Sequence, residues 1–226
     1  MSLRAVHQFH PTITFGDAIS NDCFELQRVL WSAGMFSELY AEDTKEELRA
    51  FTRPASEIAG AARSNGALLI HHSMGNESVD AVAAAPFPRK AVVYHNIAPA
   101  RYFVGISEWN RAHAELGRTQ LRALAQTCEL GIADSEYNRQ ELEASGFAKT
   151  SVVPILVDWA AYDVDPDPAV LRRLADERTS ILVVGQILPQ KALHDVLPAF
   201  ARYRQRDRGA RLFLVGSTNM SGPYLG

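Results

Sequence analysis

Five of the seven histidines in this chain gather around short apolar runs: His7 and His10 at the first, then HHSMGNES (71–78) and YHNIAPARYF (94–103) at two later ones. A neutral imidazole just past a strand, as His95 would be, can hydrogen-bond a sugar hydroxyl or the carbonyl-like centre of a reacting group. The plain alternative is a histidine satisfied by backbone at a strand end. A metal cluster is not expected, because these residues come one or two per loop, and adjacent His71 and His72 point apart on an extended backbone. FGDAISND (15–22) puts Gly16 at the mouth of a helix, where free N–H groups can meet an anion or a sugar hydroxyl, with Asp17 as the cap. Gly16 can equally be read as a simple loop glycine before that cap. VVGQILPQK (183–191) is a buried strand, a glycine and a short loop that brings Lys191 to the start of an amphipathic helix. One point charge beside several N–H donors suits a diphosphate.

Other polar segments have simpler readings. In IADSEYNRQEL (132–142), Ser135 is placed to cap a helix, and the acidic DVDPDP (163–168) reads as a solvated loop rather than a metal site. The chain has no G-x-S-x-G, no P-loop and no H-E-x-x-H, which removes three enzyme classes. It also lacks G-x-G-x-x-G, which argues against a nicotinamide or flavin oxidoreductase.

These residues need strand ends to hold them. Short β-branched or aromatic runs at 5–9, 37–41, 67–71, 90–95, 130–133, 151–155, 180–187 and 211–215 alternate with helical stretches. Ile19, Cys23, Leu26 and Leu30 share one helical face, with Gly34 as a stop, and a similar stripe begins at Leu193. Consecutive apolar residues at 91–94 and 181–184 predict strands buried on both faces. The fold class is therefore α/β: a Rossmann-like, doubly wound parallel sheet followed by a truncated second Rossmann-like β-α-β unit. An Asp- and Pro-rich linker from about 158 divides the chain into 1–168 and 169–226. The second part has too few strands to bury its own sheet, so the natural protein is expected to continue, and an unpaired edge after residue 180 predicts self-association.

Composition limits the partners. The 226 residues are 47% hydrophobic and 22% charged, with a net charge of −3, so neither disorder nor nucleic-acid binding is indicated. Two distant cysteines, no signal peptide and no apolar run of about 18 residues predict a reduced, cytoplasmic protein.

Taken in order, FGDAISND, YHNIAPARYF, IADSEYNRQEL, VVPILVD (152–158) and VVGQILPQK with RLFLVGS (211–217) resemble the motifs of the retaining glycosyltransferases of family four, which have the GT-B fold of two Rossmann-like domains. The resemblance implies sugar transfer from a nucleotide-sugar donor to a saccharide or lipid-linked acceptor, with no metal and no cofactor, the nucleotide sugar being a substrate. A lipid acceptor would place the enzyme peripherally at a membrane. It also implies that Gly16 and Asp17 lie by the acceptor and donor phosphate, that the active-site histidine His95 contacts the transferred sugar, and that Lys191 and Gln186 meet the diphosphate. Gln186 stands where most members carry arginine, so one expected charge is missing. The chain also stops before the family's pair of donor-side glutamates, so these 226 residues are expected to be inactive alone. Two other readings share these features: a sugar- or nucleotide-binding module, and another GT-B-like enzyme such as a sugar-nucleotide epimerase.

Overall fold

Asp17 opens the first helix: its carboxylate accepts from Ser20 N at 2.8 Å. The helix, α1, runs Ala18–Ser32, and Gly34 ends it with φ +74°. In this computed structural model, which describes residues 4–62, 66–218 and 224, the chain forms two compact units. Residues 1–97 with 112–158 make one, and 98–111 with 159–226 make the other.

The first unit is built on seven parallel strands. In chain order these are β1 (Val6–Phe9), β3 (Leu39–Ala41), β5 (Arg53–Pro54), β6 (Ala67–His72), β7 (Arg89–Tyr94), β8 (Leu130–Ala133) and β9 (Thr150–Val152). Their spatial order is β5-β3-β1-β6-β7-β8-β9. The order reverses between β1 and β6, the kind of point where open α/β sheets bind ligands beyond the strands' carboxyl ends. A separate two-stranded pair, β2 (Thr12–Ile13) with β4 (Asp43–Thr44), lies just past β1 and β3. The remaining helices of this unit are α2 (Ile58–Ala61), α3 (Ser78–Ala83), α4 (Glu108–Thr127, its first residues grouped with the second unit) and α5 (Glu136–Ala144).

The Rossmann-like α/β architecture agrees with the alternation of runs in the sequence, and β7 is buried at Ala91 through Tyr94, as its consecutive apolar residues require. Three details differ. Two-residue β5 is too short to leave a sequence pattern, and Pro54 fits there because β5 is an edge strand. Strand β9 stops at Val152 rather than 155, since Pro154 has no N–H for the ladder. In the second unit, β10 (Ser180–Val184) ends before Gly185 rather than at 187, and among the described residues it pairs, in parallel, only with β11 (Arg211–Val215). The expectation that 181–184 is buried on both faces is wrong. Leu182 and Val184 are 61% and 72% exposed, because a two-stranded sheet has too few neighbours to cover both sides. Helices α6 (Pro168–Leu174), capped by Asp167, and α7 (Leu193–Arg206) complete this unit.

One core position breaks the usual rule for buried polar groups. His7 is 1% exposed, and neither of its ring nitrogens has a hydrogen-bond partner. It is boxed edge-on by Phe36, Tyr40 and Phe87, with centroids 5.7, 5.7 and 5.9 Å away. Burial lowers its pKa, with Glu38 opposing weakly, so the ring is neutral and its desolvation is uncompensated. His7→Leu or His7→Phe should therefore raise stability at pH 7 by about 1 kcal/mol, read from the denaturant midpoint. A lower midpoint in both variants would show that the imidazole is held by something other than these aromatic edges.

Candidate functional site

Parallel strands put alternate residues on alternate faces, and the register sets Gln8 opposite Leu69 and Leu69 opposite Ala91, so odd-numbered residues of β6 and β7 share the Gln8 face. Gln8, His71 and His95 share a face, while His72 turns to the other, as the adjacent-histidine argument anticipates. His72 Nε2 donates to Gly117 O at 2.9 Å. On the first face, Gln8 Nε2 donates to Cys23 O at 3.1 Å, Gln8 Oε1 lies 2.9 Å from His71 Nε2, and His71 Nδ1 lies 2.8 Å from His95 Nε2. The two imidazole planes are within 8° of parallel.

His95 follows β7 directly, and its N–H extends the ladder to His72 O at 3.0 Å. The chain then turns sharply at Asn96, with φ +69°, a conformation that asparagine tolerates better than most residues. The turn is braced from below. Tyr94 Oη donates to Glu141 at 2.7 Å and accepts from Ile97 N at 3.1 Å, while Arg118 donates to Ile97 O at 2.6 Å. Burial, followed by this carboxylate, raises the Tyr94 pKa, so the phenol stays protonated.

Gly16, with φ +70°, and Asp17 lie in the segment between β2 and α1, at the same carboxyl edge of the sheet. Asp17 spends its carboxylate on capping, accepting from both Ser20 N and Ser20 Oγ at 2.8 Å. Gly16 is exposed and its positive φ explains a glycine there. His10 is buried, its Nδ1 2.7 Å from Thr12 O.

Asp22, on α1, was given no role by the sequence. It is buried, accepts from Leu156 N at 2.8 Å, and its pKa is raised chiefly by desolvation. Donor atoms of Asp22, His71 and His95 all lie within 4.8 Å of one another, which makes them the candidate metal ligands among the described residues. Yet the facing nitrogens of His71 and His95 are already bonded to each other. An ion would have to break that bond and turn a proton onto His95 Nδ1, which is buried and has no partner to receive it.

Gln186 and Lys191 belong to the second unit. Gln186 is exposed in the loop after β10; Gly185 N donates to Val215 O at 2.9 Å and Ile187 N to Ser217 O at 3.0 Å, tying that loop to the end of β11. Lys191 is exposed at the end of a 3-10 turn, Pro189–Lys191, that packs against a second turn, Ala100–Phe103. Ala192, with φ +51°, precedes α7 and supplies no side-chain cap. Lys191 thus sits beside a helix start whose Ncap residue offers no side-chain acceptor, an arrangement suited to an anion.

Ser135 caps α5, accepting from Asn138 N at 3.3 Å. Both cysteines are free and buried, and no helix among the described residues is long and apolar enough to cross a membrane. Gln8 and Asp22 are the site residues that sequence reasoning missed. A glutamine within the apolar β1 run is the one signal that pointed to it.

No family model matches the sequence, and no curated protein matches it. Solved structures do. MnaA of S. aureus, determined with UDP, superposes with a TM-score of 0.56 at 13% identity, covering 96% of this chain and 63% of its own. A protein assigned as a UDP-N-acetylglucosamine 2-epimerase from Listeria monocytogenes gives 0.53 at 12% identity, with coverages of 96% and 63%. HepE of Anabaena, in complex with UDP and glucose, gives 0.54 at 13% identity, with coverages of 95% and 70%. The chain therefore spans less than two thirds of the first two of these neighbours, and what it shares with all three is the fold.

Proposed function

We propose that the whole protein is a retaining glycosyltransferase that moves a sugar from a nucleotide-sugar donor to a saccharide or lipid-linked acceptor. The observation that carries this reading is the row Gln8, His71 and His95, with Gly16 and Asp17 nearby, at the carboxyl edge of the sheet where strand order reverses. That edge offers a neutral hydrogen-bonding imidazole and a helix start, partners for a hydroxylated ring and an anion. The ordered family motifs in the sequence support it, as do fold neighbours determined with UDP.

In the reaction, the bond from the anomeric carbon to the diphosphate breaks and a new bond forms to an acceptor hydroxyl, whose proton passes to an oxygen of the departing diphosphate. Negative charge grows on the departing diphosphate. A fixed positive charge there lowers the barrier, the role proposed for Lys191, with the Gln186 amide as a neutral donor. His95 would hold the transferred sugar, and Gly16 and Asp17 would frame the acceptor and donor phosphate. No metal is assigned a part.

A second reading, a sugar-nucleotide epimerase, is favoured by the assignment of the Listeria neighbour. The test is a panel of UDP-, GDP- and ADP-sugars given to the protein at its natural full length. Acceptor-dependent release of nucleotide from one donor is expected, lowered about 100-fold in Lys191→Ala and His95→Ala and unchanged by EDTA. An isomerised donor without transfer would establish the epimerase, and binding without either product would establish a binding module. Loss of activity in EDTA, restored by one divalent ion, would overturn the metal-free part of this reading.

A further inference from the structure

The hydrogen-bond row on β1, β6 and β7 has only one consistent direction when its histidines are neutral. Cys23 O can only accept, so Gln8 must present its amide nitrogen there, and its oxygen then faces His71. That oxygen also can only accept, so His71 Nε2 carries the proton. A neutral His71 is left with a bare Nδ1, and His95 Nε2, 2.8 Å away, must donate to it. Flipping the Gln8 amide would set oxygen against oxygen at Cys23 and a donor against a donor at His71.

Both rings are held neutral. His71 is fully buried and its pKa is driven well below the usual histidine value, first by desolvation and then by His95 and His10. Desolvation, with His10 and His72, pushes His95 down to about 3. The surrounding groups are otherwise engaged: His10 with Thr12 O, His72 with Gly117 O, and Asp22 with Leu156 N. His95 Nδ1 is consequently a bare lone pair, buried and without a partner. Leaving such an acceptor unsatisfied is costly, and a ligand bringing a proton donor would remove that cost.

We propose that Gln8 and His71 are positioning residues that lock His95 in its Nε2–H tautomer, so that its Nδ1 accepts a hydrogen bond from a ligand hydroxyl and repels a phosphate oxygen. The identity of the ligand rests on the sugar-nucleotide reading above; the tautomer does not. A lone pair facing a phosphate oxygen is repulsive, whereas a sugar hydroxyl completes the row. His95 therefore selects the neutral, hydroxyl-bearing part of a substrate over its charged part.

The test is two-bond proton–nitrogen NMR on histidine-labelled protein at pH 7. His95 should be protonated at Nε2 and bare at Nδ1 without any ligand present. In Gln8→Leu, His71 loses its acceptor, so His95 should show both tautomers, and UDP-glucose should bind about 2-fold more weakly for an even mixture. In Gln8→Glu, a protonated carboxyl can still donate to Cys23 O and accept from His71, so tautomer and affinity should return. A proton on His95 Nδ1 in the wild type overturns the proposal even where Gln8→Leu fails to fold, and so does an unchanged tautomer in a folded Gln8→Leu. Adding UDP and UDP-glucose separately isolates the ligand: the Nδ1 resonance should move with UDP-glucose alone. If none of the UDP-, GDP- and ADP-sugars moves it while the tautomer is as stated, the sugar-nucleotide reading fails and the lock stands.

Discussion

Gly75→Ala is expected to destabilise the first unit by about 3 kcal/mol, the cost of forcing backbone apart in a packed interior. A Cβ there would lie 2.5 Å from Gly117 N, 2.7 Å from His113 O and 2.7 Å from Leu116 Cβ, none of which is the free end of a flexible side chain. Gly75 N donates to His113 O at 2.9 Å and His72 Nε2 donates to Gly117 O, so the loop after β6 is fastened to α4 by this close approach. Gly117→Ala meets the same wall from the other side, 2.6 Å from Gly75 N, with about 1 kcal/mol returned by alanine's better helix propensity. Gly60→Ala is the control, because nothing lies within 4 Å of its Cβ position in α2, and that change should be neutral or mildly stabilising. Chemical denaturation of the three variants checks this. Equal stabilities for Gly75→Ala and Gly60→Ala would show that the loop is not pinned to the helix.

Acid is expected to loosen the same unit well before its carboxylates titrate. His7, His10, His71, His72 and His95 all have pKa values lowered from 6.5 in the folded chain, desolvation being the largest cause in each case. A depressed histidine leaves the folded state with fewer bound protons than the unfolded state. Its contribution is therefore fully present above pH 6.5 and is lost as the unfolded chain takes up protons below it. For His71 and His95, the two with the strongest shifts, the loss between pH 7 and pH 5.5 is about 1 kcal/mol each, so about 2 kcal/mol for the pair. The other three act in the same direction. Asp22, raised from 3.8, acts in the opposite sense, but only at the acidic end. Hydrogen exchange at the β6 amides, or denaturant midpoints taken from pH 8 to pH 5, should show the decline. A flat profile would mean that these imidazoles are solvated. His7→Phe should make the decline shallower.

Much of the scaffold is written locally. The alternation of apolar runs and amphipathic stretches, the Asp17 and Ser135 caps and the Gly34 stop each depend on a few neighbouring residues, so they can be read directly from the sequence. The same is true of histidines at strand ends and of the opposite facing of His71 and His72, which follows from the two-residue period of a strand. What these local rules cannot supply is which strand lies beside which. The reversal between β1 and β6, the two-residue strand β5, and the grouping of residues 98–111 with the second unit come from packing between distant segments.

The candidate site of the first unit divides in the same way. His95 and Gly16 stand at positions that periodicity and turn chemistry already mark. Gln8 bonds His71 from 63 residues away, Asp22 holds Leu156 N from 134 away, and Gly75 meets Gly117 across a loop and a helix. Elements with a clear period, and the polar residues at their ends, are legible along the chain because hydrogen bonding and side-chain periodicity act over a few residues. Which of those residues meet, and which imidazole nitrogen is left without a proton, depends on strand order and on the direction of a hydrogen-bond row that no single segment contains.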